Sequence, residues 1–121
     1  MQRVFLVDDS ELVRKRLAQM LAAVPRTCVV GEAGDVRQAI NSIVAAKPDL
    51  VLLDISLEQG SGFEVLKALH QLEPSIDVYM LSNFASEPYR RHALRLGARG
   101  FFDKASEMER VRDAVAQRVL N

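Results

Sequence analysis

The sequence has a single cysteine, no net charge and no long apolar run. Cys28 cannot form a disulfide within the chain, which is compatible with a reducing cytoplasm. The 16 basic and 16 acidic residues balance at pH 7, and this argues against a nucleic-acid-binding domain, which normally has a basic patch. The apolar stretch at residues 4–7 is too short for a signal peptide, and no run approaches the roughly 20 residues of a membrane span. We therefore expect a cytoplasmic protein with no membrane partner.

What the sequence does contain is an alternation of short apolar strands with amphipathic stretches of helical period. Its 121 residues are enough for one domain with a real hydrophobic core, and no repeat or linker interrupts them. We expect a single domain, residues 1–121, with no room for a second. The strands are predicted at residues 3–7, 27–32, 50–53, 76–81 and 99–103. Helix N-caps are predicted at Ser10, Asp35, Ser61, Ser86 and Ser106, with capping-box partners at Gln38, Glu64 and Glu109.

Five such βα units predict an α/β fold, a flavodoxin-like doubly wound parallel sheet with five helices. The strand order 2-1-3-4-5 places strands one and three side by side at the switch point, where ligands bind beyond the carboxyl ends of the strands. This order would bring Asp8 and Asp9, which follow strand one, next to Asp54, which follows strand three. Ser82 would lie beside them at the end of strand four, and Lys104 beyond strand five.

Three carboxylates at one edge suit a hard cation and a phosphoryl group. Close carboxylates repel one another, and a divalent cation removes that cost. Mg²⁺ fits better than zinc because the cluster has oxygen ligands and neither histidine nor cysteine. Asp54 could then attack a phosphoryl group to form an acyl phosphate. The Ser82 hydroxyl and the Lys104 ammonium would hold two of the phosphoryl oxygens.

Each of these residues alone has a simpler interpretation. Asp8 or Asp9 could be a helix N-cap, Asp54 a turn residue, and Lys104 a solvated side chain. What favours a site is that all of them follow predicted strands on one edge of one sheet. The glycines near residue 60 are not a phosphate loop, because the Lys-Ser/Thr pair of that motif is missing.

Four sequence motifs support a family resemblance. They are Val7-Asp8-Asp9-Ser10, Leu52-Leu53-Asp54 with Gly62 eight residues on, Leu81-Ser82, and Gly97-Ala98-Arg99-Gly100-Phe101-Phe102-Asp103-Lys104. Over essentially the whole chain, the sequence resembles the receiver domain of two-component response regulators. Any one of these motifs alone would be a weak signal, but jointly they are highly specific.

The resemblance implies a role for each motif residue. Asp54 would be the phosphoacceptor, Asp9 a direct Mg²⁺ ligand, and Asp8 a ligand acting mainly through a water. The backbone carbonyl of Ser56 would be a further ligand. Ser82 and Lys104 would be the switch hydroxyl and the phosphate-binding lysine. Phe101 would be the aromatic residue that swings inward when the hydroxyl moves.

The resemblance also implies partners. A sensor histidine kinase or a phosphotransfer protein would supply the phosphoryl group, and a downstream protein effector would bind the changed surface of helix four, strand five and helix five. No direct nucleic-acid contact is implied, and a phosphorylation-dependent dimer is compatible with the pattern. The protein would be an enzyme only in catalysing its own phosphorylation and dephosphorylation.

The sequence departs from the family pattern at several positions. Glu58 stands where many members have proline, so the shape of the loop after strand three cannot be carried over from the family. Ala105 also stands where many members have proline, and the Lys104–Ala105 bond is either cis or trans. Phe101 lacks the hydroxyl of the commoner tyrosine, so its switching could only be steric. Ser56 and Phe84 would flank the acceptor, and the bulk of Phe84 would slow dephosphorylation by hindering the attacking water.

Two other functions compete with the signalling switch. One is a Mg²⁺-dependent aspartyl phosphohydrolase, which would need an acid two residues after the nucleophile, where this chain has Ser56. The other is a phosphate sink or an unphosphorylated pseudo-receiver that serves as an interaction module. The cognate kinase, the effector and the oligomeric state cannot be predicted from the sequence.

Overall fold

Uninterrupted apolar runs in the central strands give a parallel sheet that is buried on both faces. The computed structural model describes residues 1–83 and 86–120. Its five sheet strands, numbered along the chain, run in the order 2-1-3-4-5, and every neighbouring pair is parallel, so the predicted fold and strand order are confirmed. The strands are β1 (Gln2–Val7), β2 (Thr27–Ala33), β3 (Leu50–Asp54), β4 (Asp77–Ser82) and β5 (Gly100–Asp103). The helices are α1 (Glu11–Ala22), α2 (Val36–Ala46), α3 (Gly62–Leu72), α4 (Glu87–Arg95) and α5 (Met108–Leu120).

The core consists of two apolar clusters, one on each face of the sheet. In β3, Leu50 and Leu52 belong to the cluster that includes residues of α1 and α5. Val51 and Leu53 belong to the cluster that includes residues of α2, α3 and α4. All four side chains are fully buried, as expected for a central parallel strand. Within the described residues, no helix has the length and apolar character needed to cross a membrane.

Three of the five predicted N-caps make a side-chain capping hydrogen bond. The side chains of Ser10 and Asp35 accept hydrogen bonds from the first turns of α1 and α2. At α3, Ser61 Oγ accepts from the Phe63 N–H at 3.1 Å, and the Glu64 carboxylate accepts from the Ser61 N–H at 3.3 Å. The capping box predicted at α3 is therefore confirmed.

The predicted N-cap of α4 is confirmed in position but makes no capping bond, and the predicted cap of α5 is wrong. Ser86 stands at the N-cap position of α4, but its side chain makes no capping hydrogen bond. Ser106 lies in a turn, and α5 begins at Met108. The polar groups before α5 are satisfied by other partners, since the Glu107 carboxylate accepts from the Asp103 N–H at 3.0 Å. That arrangement moves the start of the helix past Ser106.

The segment after β3 is more ordered than the predicted loop. Ser56–Leu57 pairs antiparallel with Gly60–Ser61 to form a short hairpin whose strands are two residues each. Gln59 and Gly60 take positive φ values of 54° and 150° at its turn. Glycine at position 60 suits this backbone, because residues with a Cβ rarely adopt it. The hairpin leads directly into α3 and so fixes the chain that follows Asp54.

Candidate functional site

Two neighbouring strands bring three aspartates to one edge of the sheet. In the β1–β3 ladder Val7 pairs with Leu53, so Asp8 and Asp54 follow side by side. Asp8, Asp9 and Asp54 each offer a carboxylate oxygen, and these oxygens lie within 4.8 Å of one another. Asp8 and Asp54 are buried, with 1% and 6% of their surface exposed, whereas Asp9 is exposed. The cluster is therefore a buried acidic pair with a third carboxylate facing solvent.

Lys104 is the cation of this cluster. Its Nζ lies 3.0 Å from Asp54 Oδ2 and also contacts Asp8 Oδ2. The other oxygen of Asp8 accepts a hydrogen bond from the Ser10 N–H at 2.9 Å. Both carboxylate oxygens of Asp8 are thus engaged by the protein. One ammonium against three carboxylates leaves a formal charge of minus two.

Burial and charge shift the pKa values of two of these groups. Burial raises the pKa of Asp54 above its usual value, and the Asp8 charge raises it further, although Lys104 and the Ser56 N–H act in the opposite direction. Burial alone would lower the pKa of Lys104, but its contacts with Asp8 and Asp54 raise it on balance. Lys104 is therefore held protonated in the cluster, and Asp54 is a carboxylate that its surroundings make easier to protonate.

Ser82 lies next to the acidic cluster at the end of β4. Asp54 pairs with Leu81 in the β3–β4 ladder, so Ser82 is the next residue along the edge. It is fully buried, and its carbonyl accepts a hydrogen bond from the Lys104 N–H at 3.0 Å. The backbone therefore ties Ser82 and Lys104 together, one at the end of β4 and the other just after β5.

The chain that follows Asp54 is held close to its backbone. The Ser56 N–H is close enough to the Asp54 carboxylate to lower its pKa. Gly62, the first residue of α3, donates its N–H to the Ile55 carbonyl at 2.6 Å. A Cβ at Gly62 would lie 2.0 Å from the Asp54 carbonyl oxygen, so only glycine fits there without a shift. Ser56 itself is exposed.

The structure places the other predicted site residues in different ways. Phe101 is buried, with 4% of its surface exposed, and its ring belongs to the cluster that includes α3 and α4 residues. The prediction for Phe84 lies outside the described residues. No peptide bond among residues 1–83 and 86–120 is cis, so the Lys104–Ala105 bond is trans. The functional roles of the site residues remain predictions.

Sequence reasoning missed Arg14, because helical spacing assigns it to the exposed face of α1. Its side chain is only 18% exposed. The guanidinium donates to the Asp8 carbonyl oxygen and forms an ion pair with Glu32 at 2.9 Å. The sequence signal that could have found this pair is its opposite charges, with Arg14 one turn into α1 and Glu32 near the end of β2. Arg14 thus fixes the backbone from which Asp8 projects.

The residues present fit a small divalent cation. The available donors are carboxylate oxygens, which Mg²⁺ prefers, and the described residues place no histidine or cysteine in the cluster. The formal charge of minus two left after Lys104 is counted would be balanced by one such ion. Asp9, the exposed member, is the carboxylate most open to a ligand from solvent.

Comparison with known proteins identifies related sequences and folds. Residues 4–116 match the family model of the response regulator receiver domain. The DNA-binding transcriptional activator DevR/DosR of Mycobacterium tuberculosis is 39% identical over 104 residues, which are 86% of this chain and 48% of that protein. The chain spans about half the length of the curated relatives it matches first.

Solved structures agree with the sequence match. The response regulator domain of Thermotoga maritima CheB has a TM-score of 0.87 and 28% identity, and the match covers 98% of this chain and 93% of that one. The CheX–CheY–BeF₃–Mg²⁺ complex from Borrelia burgdorferi gives a TM-score of 0.84 and 26% identity over 98% of this chain and 87% of that one.

Proposed function

This chain belongs to the response regulator receiver domain family, and from that membership we propose that it is a phosphorylation-activated signalling switch. Asp54 would accept a phosphoryl group from a sensor histidine kinase or a phosphotransfer protein. The observation that supports this most directly is the placement of Asp54, a buried carboxylate beside Asp8 and Asp9 with the Lys104 ammonium 3.0 Å away. We propose that residues 1–121 form this one domain.

The proposed reaction transfers phosphorus from nitrogen to oxygen. An Asp54 carboxylate oxygen attacks the phosphorus, the P–N bond of the phosphohistidine breaks, and the imidazole leaves with the electron pair. The product is an acyl phosphate on Asp54. Lys104, which already contacts this carboxylate, would pair with a phosphoryl oxygen, and the Ser82 hydroxyl would donate to another. Attack of water on the phosphorus later releases phosphate and restores the carboxylate.

Mg²⁺ is the cofactor that we propose for this site. Asp8, Asp9, Asp54 and the Ser56 backbone carbonyl would hold it, with Asp9 bound directly and Asp8 mainly through a water. When bound, the ion would neutralise the clustered carboxylates and offset charge on the phosphoryl oxygens. Support comes from the donor set of the cluster, and from the related complex whose title includes Mg²⁺ and BeF₃.

Phosphorylation is proposed to change the surface of α4, β5 and α5. The phosphoryl group adds close to two negative charges and three acceptor oxygens, so Ser82 would be drawn toward it. Phe101 would respond sterically, and a downstream protein effector would bind the altered surface. A cytoplasmic setting and a phosphorylation-dependent dimer are part of the same proposal, as is the absence of an enzymatic activity beyond the self-catalysed steps.

Labelling with acetyl phosphate and Mg²⁺ tests the proposed function. The wild-type chain should gain an acid-labile phosphoryl group, and Asp54→Asn should gain none because the nucleophile is lost. Asp113→Asn is the matched control, since that carboxylate is 70% exposed on α5 and should label normally. Labelling that persists in Asp54→Asn would contradict the proposed acceptor, and an unlabelled wild-type chain would contradict the proposed function.

The same preparations test the competing functions. A phosphohydrolase would need an acid two residues beyond Asp54, and Ser56 occupies that position, so we expect no turnover of generic phosphate esters. A pseudo-receiver would resist acetyl phosphate altogether. The proposed slowing of dephosphorylation by Phe84 predicts a shorter phosphoryl half-life for Phe84→Ala, and an unchanged half-life would remove it.

A further inference from the structure

Arg90 on α4 makes two separate contacts with Phe101 on β5. Its guanidinium carbon lies 5.2 Å from the centroid of the Phe101 ring, which is the distance of a cation–π contact. Its Nη1 also donates a hydrogen bond to the Phe101 carbonyl oxygen at 3.2 Å. One side chain therefore holds both the ring and the backbone of the same residue. Arg90 is half-buried, so water weakens these contacts less than at an exposed site.

Arg90 is also part of the first turn of α4. Its backbone N–H donates to the Ser86 carbonyl at 3.0 Å. This end of the helix lacks the side-chain cap found at α1, α2 and α3, because Ser86 makes no capping bond. A helix start without a side-chain cap is less stable than a capped one. The Arg90–Phe101 contacts thus join a helix start without a side-chain cap to the edge strand β5.

Phe101 has no polar group of its own with which to fix its ring. The ring is 4% exposed and packs in the apolar cluster that contains Met80, Ala93 and Ala98. Apolar packing can hold a ring inside without linking it to one helix in particular. Arg90 provides that link, because it belongs to α4 and contacts Phe101 directly.

We propose that Arg90 is a positioning residue that fixes Phe101 in its inward placement and couples it to the first turn of α4. Arg90 contributes no atom to the proposed phosphoryl chemistry and acts through Phe101. The regulatory meaning of this coupling rests on the proposed function. The effect of Arg90 on the Phe101 ring and on α4 does not, and it can be measured without phosphate.

The first experiment compares Arg90→Met with Arg91→Met. Arg91 is the matched control, because it is exposed and pairs only loosely with Glu87 at 3.9 Å. With fluorophenylalanine incorporated at all five phenylalanines, the Phe101 resonance is assigned from its loss in Phe101→Leu. In Arg90→Met we expect that resonance to shift and the amides of α4 to exchange about tenfold faster, the combined effect of one cation–π contact and one hydrogen bond. Arg91→Met should leave both unchanged.

A conservative variant separates positioning from general destabilisation. Arg90→Lys keeps the positive charge but loses the planar stack and the forked donors, so it should give an intermediate resonance and intermediate exchange. If Arg90→Met does not fold, Arg90→Lys is the test by the same two measurements. A Phe101 resonance and an α4 exchange rate that stay at wild-type values in these variants would overturn the proposal.

The second experiment tests the coupling itself. On addition of beryllofluoride and Mg²⁺, the amide exchange rates of α4 should change in the wild-type chain. In Arg90→Met we expect this change to be less than about one third as large. An equal change in both would overturn the coupling. If the wild-type chain is not labelled by acetyl phosphate, the proposed function fails, whereas the first experiment still decides whether Arg90 positions Phe101.

Discussion

Replacement of Gly62 by alanine tests how closely α3 is fitted against Asp54. Gly62 is the first residue of α3, and on helix propensity alone alanine would stabilise the chain by about 1 kcal/mol. The structure predicts the opposite sign. A Cβ at this position would meet the Asp54 carbonyl oxygen at 2.0 Å, the Asp54 carbonyl carbon at 2.9 Å and the Ile55 Cα at 3.0 Å. These are backbone atoms of a buried strand end, so no flexible side chain can move aside.

The size of the effect follows from how far these distances fall short of an ordinary contact distance. Ordinary contact begins near 3.4 Å, so the strand end or the helix would have to shift by more than an ångström. Overpacking of this kind costs about 1–3 kcal/mol, and the upper value applies because backbone must move. After the gain in helix propensity, we expect Gly62→Ala to lower the free energy of unfolding by about 2 kcal/mol. If Asp54 is the acceptor, a misplacement of this size should slow its labelling by about a hundredfold.

Urea denaturation and acetyl phosphate labelling check both numbers, and Gly34→Ala is the matched control. Gly34 lies near the same site, but a Cβ there would meet the Arg14 guanidinium at 3.4 Å and the Asp8 carbonyl at 3.6 Å, which are ordinary contacts. We expect Gly34→Ala to change stability by less than about 1 kcal/mol and to label normally. A Gly62→Ala chain as stable as wild type, with an unchanged labelling rate, would refute the steric argument.

Three further predictions concern the acidic cluster. Burial raises the pKa of Asp54, so as the pH falls from neutrality this residue should be protonated at a higher pH than an ordinary aspartate. Mg²⁺ binding, measured by titration calorimetry, should weaken as it is protonated, and Asp54→Asn should remove that part of the pH dependence. Lys104→Met should bind Mg²⁺ about tenfold more tightly, since a competing positive charge is gone, yet label more slowly. Arg14→Met should lower the free energy of unfolding in urea by about 1–2 kcal/mol, because it loses the bonds to Asp8 and Glu32; an unchanged midpoint would contradict that role.

The sequence was sufficient to predict the sheet and its acidic edge because both follow from local patterns. The run at residues 50–53 is apolar without interruption, which identifies a central strand buried on both faces. Once strands one and three are neighbours, Asp8 and Asp54 must follow them at the same edge. No knowledge of side-chain packing was needed for these predictions, and the strand boundaries differ from the predicted ones by one residue.

Contacts that depend on packing between distant segments could not be predicted. Helical spacing assigned Arg14 to solvent, but the end of β2 brings Glu32 to it. The start of α5 was also misplaced, because Asp103 and Glu107 form polar bonds that displace the predicted cap at Ser106. The partner of Arg14 comes from a distant segment of the chain. The bonds of Asp103 are local, two and four residues along the chain, and compete with the predicted cap.

At two positions this chain lacks the proline that many family members have, and the sequence alone did not show what holds the backbone there. The structure supplies the physical explanation. At Glu58, the backbone N–H donates to the Gly34 carbonyl at 3.4 Å, which ties the segment after β3 to the turn after β2. At Ala105, the N–H donates to Asp103 Oδ1 at 2.8 Å, in the turn that follows Lys104. Proline has no N–H and could make neither bond. In many family members the proline ring restricts the backbone at these two positions. Here a backbone hydrogen bond holds each segment instead, so both loops beside the acidic cluster are fixed without proline.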